Sequence, residues 1–114
     1  MDCLFCRIVS GAIPAAKLFE DDRAIAFRDI NPQAPTHILV VPKQHVASLA
    51  EVAATQAGEE LLGHLLAVIA QIARSENLNS GYRTVINTGS DGGQTVDHMH
   101  LHLLGGRAMH WPPG

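Results

Sequence analysis

The sequence predicts a single α+β domain in which a mostly antiparallel sheet carries one long helix, inserted late in the chain. Three observations support this prediction: short apolar runs suited to strands, turn-forming residues between those runs, and one stretch with helical periodicity. The 114 residues and the hydrophobic content of 46% suit one globular domain, and no repeat or internal linker interrupts the chain.

Five strands are predicted, and turn chemistry separates them. The Asp21-Asp22 pair, the Pro- and Asn-rich stretch 31–35 and the glycine-rich stretch 89–93 are typical of turns and loops. The predicted strands are Lys17–Glu20, Ala24–Asp29, His37–Val41, Tyr82–Asn87 and Val96–Leu104.

One long helix is predicted from about Thr55 to Asn77. His64 lies on this helix but off its apolar stripe, which favours a structural role or a contact in a dimer. The stripe itself recurs at helical spacing and indicates a buried face: Leu61, Leu62, Leu65, Leu66, Ile69 and Ile72.

Residues 98–104, HMHLHLL, alternate histidine with large apolar residues. Alternate side chains of a strand share a face, so the pattern predicts His98, His100 and His102 on one face and the apolar residues on the other. A neutral imidazole with a free ring nitrogen is a nucleophile or base near neutral pH. A His-x-His pair on a strand also has good zinc-ligand geometry, so a phosphate site and a metal site both remain open at this point.

The glycine-rich stretch 87–95, NTGSDGGQT, runs directly into the histidines. Glycines let the backbone approach a ligand closely, and exposed N–H groups in such a loop form an anion-binding concavity. The amide of Gln94 and the hydroxyl of Thr95 can both donate to phosphate oxygens. The stretch matches neither the P-loop nor the dinucleotide-binding pattern, so its position beside the histidines carries the argument.

Charge and hydropathy exclude several classes of protein. The net charge is −3 and the basic residues are scattered, so no nucleic-acid partner is indicated. No apolar run approaches the length of a membrane span, and the N-terminus lacks a basic region followed by a hydrophobic stretch. We therefore expect a cytoplasmic protein without a membrane partner.

Cys3 and Cys6 form a Cys-x-x-Cys motif. A structural disulfide is improbable in a cytoplasmic chain, which leaves redox chemistry, metal binding or chance. A thioredoxin-like role needs a following βαβ pattern, and the sequence predicts none. Two thiolates alone do not complete a structural zinc site.

Together these motifs resemble the histidine triad (HIT) superfamily of nucleotide hydrolases and transferases, whose motif is His-x-His-x-His-x-x with apolar x. The resemblance covers nearly the whole chain. The segment DINPQAPTH at 29–37 and the tail, with GGR at 105–107 and HWPPG at 110–114, look like the histidine triad nucleotide-binding (Hint) branch. The resemblance implies one HIT domain over residues 1–114. It implies a HIT-like fold in which the five-stranded sheet carries a short N-terminal helix as well as the long helix. It also implies a two-fold dimer whose sheets join across the interface.

The implied activity is hydrolysis of purine nucleoside phosphoramidates, or acyl-nucleotides, to the nucleoside monophosphate, with AMP or GMP conjugates as substrates. An anionic phosphorus centre repels anionic nucleophiles, so a neutral imidazole suits the attack. His100 is then the nucleophile and forms a covalent nucleotidyl-histidine intermediate, while His102 contacts the phosphate and the leaving group. Gly93, Gln94 and Thr95 would stabilise charge on the phosphate oxygens; Thr95 stands where serine is usual in the family.

Other residues match the family's nucleotide-binding positions. Asp29 matches the ribose-binding aspartate, Asn87 a phosphate- or ribose-contacting asparagine, and Trp111 the C-terminal tryptophan that approaches the partner subunit's active site. His37 resembles a histidine that steadies the triad, although a turn-stabilising role is equally consistent. The candidate walls of the base pocket, each of which the sequence alone equally assigns to the core, are Phe5, Ile8, Phe27, Ile30 and Leu39.

Family members with this Cys-x-x-Cys hold structural zinc, and the matching ligands here are Cys3, Cys6, His45 and His98. No cofactor is expected for catalysis itself. Three alternative functions remain: a nucleotide-binding regulatory or scaffold protein with little turnover, a dinucleoside polyphosphate hydrolase, and a metal-dependent hydrolase that uses all three triad histidines as ligands.

Overall fold

The computed structural model describes residues 3–114 and contains a five-stranded antiparallel sheet with the strand order β1-β2-β3-β5-β4. The strands are β1 (Lys17–Glu20), β2 (Ala24–Arg28), β3 (Thr36–Pro42), β4 (Tyr82–Val85) and β5 (Leu101–Gly105). The helices are α1 (Leu4–Val9), α2 (Leu49–Val52) and α3 (Gln56–Ser75). The predicted α+β class, the antiparallel sheet, the long helix and the short N-terminal helix are confirmed, and the two-fold dimer stays a prediction.

The central strand β3 positions the site, because it pairs with β2 on one side and with β5 on the other. Leu39 lies opposite both Phe27 and His102 in these ladders, and Val40 lies opposite Leu101. Alternation along β3 divides the sheet into two faces. One face packs against α3 through Ile38 and Val40, and the other buries Leu39 and Val41 under α1.

Helix α3 covers the first face with residues spaced three or four apart, among them Leu61, Leu65 and Ile72. It begins after Thr55, whose side chain accepts a hydrogen bond from the backbone N–H of Gly58 at 3.0 Å and caps the helix. The helix ends at Ser75, two residues earlier than predicted, and Asn77 takes a positive φ of 60° just beyond it.

Two other details of the helix prediction change. Leu66 was placed in the buried stripe but is 44% exposed, because the buried face is narrower than the sequence pattern suggested. His64 has the predicted structural role: its Nε2 lies 2.6 Å from Oδ2 of Asp21, whose Oδ1 accepts from the backbone of Arg23 and Ala24 and closes the β1–β2 turn.

The strand predicted over Val96–Leu104 is wrong in its first half. Pairing begins only at Leu101, and the N–H of Met99 donates instead to the carbonyl of Val46 at 2.8 Å. His98 and His100 therefore precede the strand, and only His102 lies within it. The β4 prediction was also two residues too long, and helix α2 was not predicted.

Within residues 3–114, no helix combines the length and the apolar character that a membrane crossing requires.

Candidate active site and metal centre

Two of the triad histidines, His98 and His100, are buried and His102 is partly buried, and the three rings do not occupy equivalent positions. His98 is 0% exposed and His100 is 5% exposed. The rings of His100 and His102 lie 5.1 Å apart between centroids, whereas Nδ1 of His98 faces the sulfur atoms of Cys3 and Cys6. The apolar residues between them, Met99 and Leu101, enter the core under α3 as the alternation predicted.

The ring of His98 has its protonation fixed by the main chain. Its Nε2 lies 2.8 Å from the carbonyl oxygen of Pro42, which only accepts, so Nε2 carries the hydrogen and donates it. Burial lowers the pKa of His98 below its ordinary value, which favours the neutral ring. The remaining nitrogen, Nδ1, therefore presents a lone pair.

That lone pair belongs to a group of four donors that we call the thiol–imidazole cluster: Cys3, Cys6, His45 and His98. Nδ1 of His98 lies 3.4 Å from Sγ of Cys3 and 3.5 Å from Sγ of Cys6. Nδ1 of His45 lies 3.6 and 3.3 Å from the same two sulfurs, and the two Nδ1 atoms lie 3.2 Å apart.

These distances fit a tetrahedral zinc ion. Zn–S bonds of about 2.3 Å and Zn–N bonds of about 2.0–2.1 Å set S–N separations of about 3.6 Å and an N–N separation of about 3.3 Å. The cluster reproduces both separations to within a few tenths of an ångström. The bond from His98 to Pro42 also supplies the outer-sphere partner that metal-bound histidines usually have. The four residues predicted as metal ligands thus come together as a closed Cys2His2 donor set.

His100 has the opposite tautomer to His98. Its Nδ1 lies 2.8 Å from the carbonyl oxygen of His98, so Nδ1 carries the hydrogen and Nε2 keeps its lone pair. The His100 and Phe5 rings pack in a T-shaped arrangement at a centroid distance of 4.9 Å. The structure thus presents an imidazole whose free nitrogen is the one farther from the backbone.

The tautomer of His102 follows from a chain of hydrogen bonds. The backbone N–H of Gln33 donates to Nδ1 of His37 at 3.0 Å, so His37 carries its hydrogen on Nε2. That Nε2 lies 2.9 Å from Nδ1 of His102, which must accept. A neutral His102 therefore carries its hydrogen on Nε2 and offers a donor where His100 offers a lone pair.

His102 is neutral over the physiological range. Burial lowers its pKa to about 4, the neighbouring rings of His100 and His37 act in the same direction, and the carboxylate of Asp29 opposes them. Oδ2 of Asp29 lies 3.5 Å from Nε2 of His37, so the carboxylate lies beside this pair of rings.

The ring nitrogens of His98, His100 and His102 do not surround one point. The alternative in which all three triad histidines bind one catalytic metal ion is therefore wrong. Among residues 3–114, two groups have the spacing for a metal ion: the thiol–imidazole cluster, and Asp29 with His37 and His102. Neither group contains His100. In the second group, the nitrogens of His37 and Nδ1 of His102 are already engaged in the hydrogen bonds that run from Gln33 through His37 to His102.

The glycine-rich loop is folded by its own polar side chains. The amide nitrogen of Asn87 donates to the carbonyl of Gly92 at 2.7 Å, and that of Gln94 donates to Ala47 and Val96 at 2.6 and 2.9 Å. In this conformation both amides hold the loop, whereas the sequence predicted them as ligand contacts. Gly93 has a positive φ of 77°.

The predicted base-pocket residues separate into two groups. Phe5, Phe27 and Leu39 are buried together on the face that carries α1, with Ile8 packed at the edge of this group. Ile30 instead extends into solvent and is fully exposed.

The remaining predicted contacts lie at the surface. Thr95 is exposed beside the loop. Trp111 is 87% exposed on a tail that Arg83 of β4 holds by donating to the carbonyls of His110 and Pro113.

Sequence reasoning missed the main-chain groups that set the tautomers. The N–H of Gln33 and the carbonyls of Pro42 and His98 act without any side-chain signal. Their positions depend on how segments far apart in the sequence come together, so residue identities alone did not reveal them.

Comparison with known proteins agrees with this geometry. A family model described as HIT domain matches residues 10–109. The chain is 50% identical to the 14 kDa zinc-binding protein of Zea mays, over 97% of this chain and 87% of that protein. A crystal structure of a HIT family hydrolase from Legionella pneumophila has a TM-score of 0.94 at 52% identity, covering 99% of this chain and 100% of that one. A histidine triad nucleotide-binding protein from Candida albicans has a TM-score of 0.82 at 32% identity, over 97% of this chain and 83% of that one.

Proposed function

The chain belongs to the HIT domain family, and on that premise we propose that it hydrolyses purine nucleoside phosphoramidates or acyl-nucleotides. The product is a nucleoside monophosphate, formed through a covalent nucleotidyl-histidine intermediate. One observation carries the proposal: the Nδ1–H of His100 is bound to the carbonyl of His98 at 2.8 Å, which leaves the Nε2 lone pair free. A neutral nucleophile suits an anionic phosphorus centre because it meets no charge repulsion.

In the first step, Nε2 of His100 forms a bond to phosphorus and the bond from phosphorus to the leaving group breaks. The leaving amine departs with the electron pair and takes a proton from water. In the second step, a water molecule attacks phosphorus and releases one proton to the solvent, the bond to His100 breaks, and the ring recovers its lone pair. His102 donates a hydrogen bond from Nε2 to the phosphate or the leaving group in both steps, because His37 occupies its other nitrogen.

The nucleotide is proposed to bind along the face that carries α1. Asp29 would accept from the ribose hydroxyls, because its carboxylate lies beside the catalytic rings. Asn87 and Gln94 would shape the loop so that Thr95 donates to the phosphate oxygens. The N–H of Gly93, which donates to the carbonyl of Ser90 at 3.1 Å in this conformation, would turn to the phosphate when substrate binds. The buried group of Phe5, Phe27 and Leu39 would supply the apolar walls of the base pocket, where Ile8 and Ile30 would complete its rim.

Zinc in the thiol–imidazole cluster is proposed as a resident ion that does not touch the substrate. The donor set fits the ion, and both cysteines are free thiols, as a reducing cytoplasm would keep them. When bound, the ion supplies a cross-link between α1 and the segments around His45 and His98.

A two-fold dimer is also part of the proposal. Strand β4 is an edge of the sheet, and its Tyr82 is 45% exposed, so this edge is open to pairing with a second copy. The tail held by Arg83 on that strand would then direct Trp111 towards the partner's site.

The test is turnover of adenosine 5′-phosphoramidates and acyl-adenylates by the purified chain. We expect His100→Ala to abolish turnover and to retain AMP binding by calorimetry. A nucleotide-binding scaffold protein would instead bind AMP without turnover in the unmodified chain. Preferential cleavage of dinucleoside polyphosphates would overturn the proposed substrate class.

A further inference from the structure

We propose that the thiol–imidazole cluster positions the nucleophile as well as stabilising the fold. A zinc ion in the cluster fixes residue 98, and the main-chain carbonyl of residue 98 fixes the ring of His100. The inference rests on the proposed function, because it takes His100 as the nucleophile. It assigns Cys3 and Cys6 as positioning residues for a side chain far away in the sequence.

The nucleophile is not held by the sheet. The ladder between β3 and β5 begins with the pair Val40 and Leu101, so His100 lies just outside it. The segment before it, residues 94–100, has no regular secondary structure. Its position therefore depends on specific contacts.

Those contacts lead to another irregular segment, residues 43–48, which follows β3. The N–H of Met99 donates to Val46 at 2.8 Å, and the amide of Gln94 donates to Ala47 at 2.6 Å. His45 lies on this segment and His98 on the catalytic one, with their Nδ1 atoms 3.2 Å apart. An ion bound to both rings would add a covalent link between two segments that already contact each other through these hydrogen bonds, through Val46 and Met99 in the core, and through the His45 and His98 rings.

The cysteines join a third element. Helix α1 has six residues, which is too short for stability on its own. It carries Phe5, whose ring contacts His98 at 5.9 Å and His100 at 4.9 Å between centroids. Because Cys3 and Cys6 flank Phe5, an ion bound to them holds α1, and Phe5 with it, against the nucleophile.

The same geometry shows what loss of the ion would change. Thiols are weak hydrogen-bond donors, so without a cation the Nδ1 side of the His98 ring is held only weakly, and the ring then depends on its burial and on the bond from Nε2 to Pro42. Movement of residue 98 carries its carbonyl away from Nδ1 of His100, now 2.8 Å distant. The tautomer of an imidazole follows the hydrogen bond made by its other nitrogen, so His100 would then mix both forms, and only one of them has a lone pair on Nε2.

The experiment compares the unmodified chain with the double variant Cys3→Ser/Cys6→Ser. A matched control, Val68→Ala, removes buried volume from α3 on the opposite face of the sheet and leaves every ligand in place. Three quantities are measured: bound zinc by native mass spectrometry, the His100 tautomer by ¹⁵N NMR, and the rate of adduct formation in a single turnover of adenosine 5′-tryptamine phosphoramidate.

We expect the double variant to lack zinc, to show mixed His100 tautomers and to form the adduct at least about tenfold more slowly. The control is expected to keep zinc, a single Nδ1–H tautomer and the unmodified rate. A zinc-free variant with one tautomer and an unchanged rate would overturn the proposal and leave zinc as a fold stabiliser only.

If the double variant does not fold, a second measurement on the unmodified chain tests the same coupling. Zinc is removed from the unmodified chain by a chelator and titrated back, while the His100 ring signals are followed. Tautomers that respond to zinc support the coupling, and tautomers that do not respond refute it. If the zinc-loaded chain forms no adduct although its tautomers respond, the coupling stands and the proposed function fails.

Discussion

Replacing Gly92 by alanine tests whether the glycine-rich loop binds the phosphate. A Cβ at this position would lie 2.3 Å from the carbonyl oxygen of Thr88 and 2.8 Å from its nitrogen. Both are main-chain atoms of the same loop, so no side-chain rotation relieves the clash. The Thr88 and Gly92 backbones must separate by about 1 Å, and a displacement of that size at a reacting centre costs about 100-fold in rate.

The change should affect both activity and stability. Gly92 is exposed and its φ is not positive, but the clash is with main-chain atoms, so we expect a loss of about 1–3 kcal/mol in the free energy of unfolding and a chain that still folds. The assay measures kcat/KM on adenosine 5′-phosphoramidate together with urea unfolding. Ser90→Ala is the matched control, because it lies in the same loop and adds no atom. A Gly92→Ala protein with activity within about threefold of the unmodified chain would refute a phosphate-binding role for this loop, since 100-fold corresponds to about 2.7 kcal/mol.

Three further predictions concern single histidines. The His102 ring should titrate near a pKa of about 4 by NMR. Because the unfolded ring takes up a proton near pH 6.5 and the folded ring does not until about pH 4, the free energy of unfolding should fall as the pH is lowered from 6.5 to 4. A folded-state midpoint near 6.5 would contradict the burial argument. His37→Phe removes the donor to His102 and the acceptor for the N–H of Gln33. The variant should lose about 1–3 kcal/mol in the free energy of unfolding by urea and about 10- to 100-fold in kcat/KM. An unchanged kcat/KM would contradict a catalytic role for this chain of hydrogen bonds. His64→Gln weakens a partly buried hydrogen bond to Asp21, whose side chain is 27% exposed, and should lower stability by about 1 kcal/mol without changing kcat/KM; a large loss of activity would place His64 in the site.

The parts of the fold that follow local patterns could be predicted from the sequence. Helix α3 was placed within two residues at each end, because its apolar spacing and the capping Thr55 are local signals. Strand β5 was predicted too early, because residues 96–100 alternate like a strand while their backbone bonds to Val46 instead of a neighbouring strand. Alternation fixes which face a side chain takes, but pairing depends on distant segments.

The site, like the fold, could be predicted where sequence motifs mark it and not where main-chain contacts between distant segments determine it. The resemblance and the motif together indicated the four members of the thiol–imidazole cluster, whose distances suit zinc. The tautomers of His98, His100 and His102 could not be predicted from the sequence. They depend on main-chain groups, namely the N–H of Gln33 and the carbonyls of Pro42 and His98. The exposure of Ile30 could not be predicted either, because the local sequence does not indicate whether an apolar residue in a turn is buried or exposed.

The most direct test of the central claim is to trap the reaction of the unmodified chain with adenosine 5′-tryptamine phosphoramidate and to map the phosphorus atom. Rapid quenching at high pH, peptide mass spectrometry and ³¹P–¹⁵N NMR together identify the bonded residue and nitrogen. We predict adenylate on Nε2 of His100, because Nδ1 of that ring is bound to the carbonyl of His98. Adenylate on His102, on Nδ1 of His100 or on any other side chain would contradict the account.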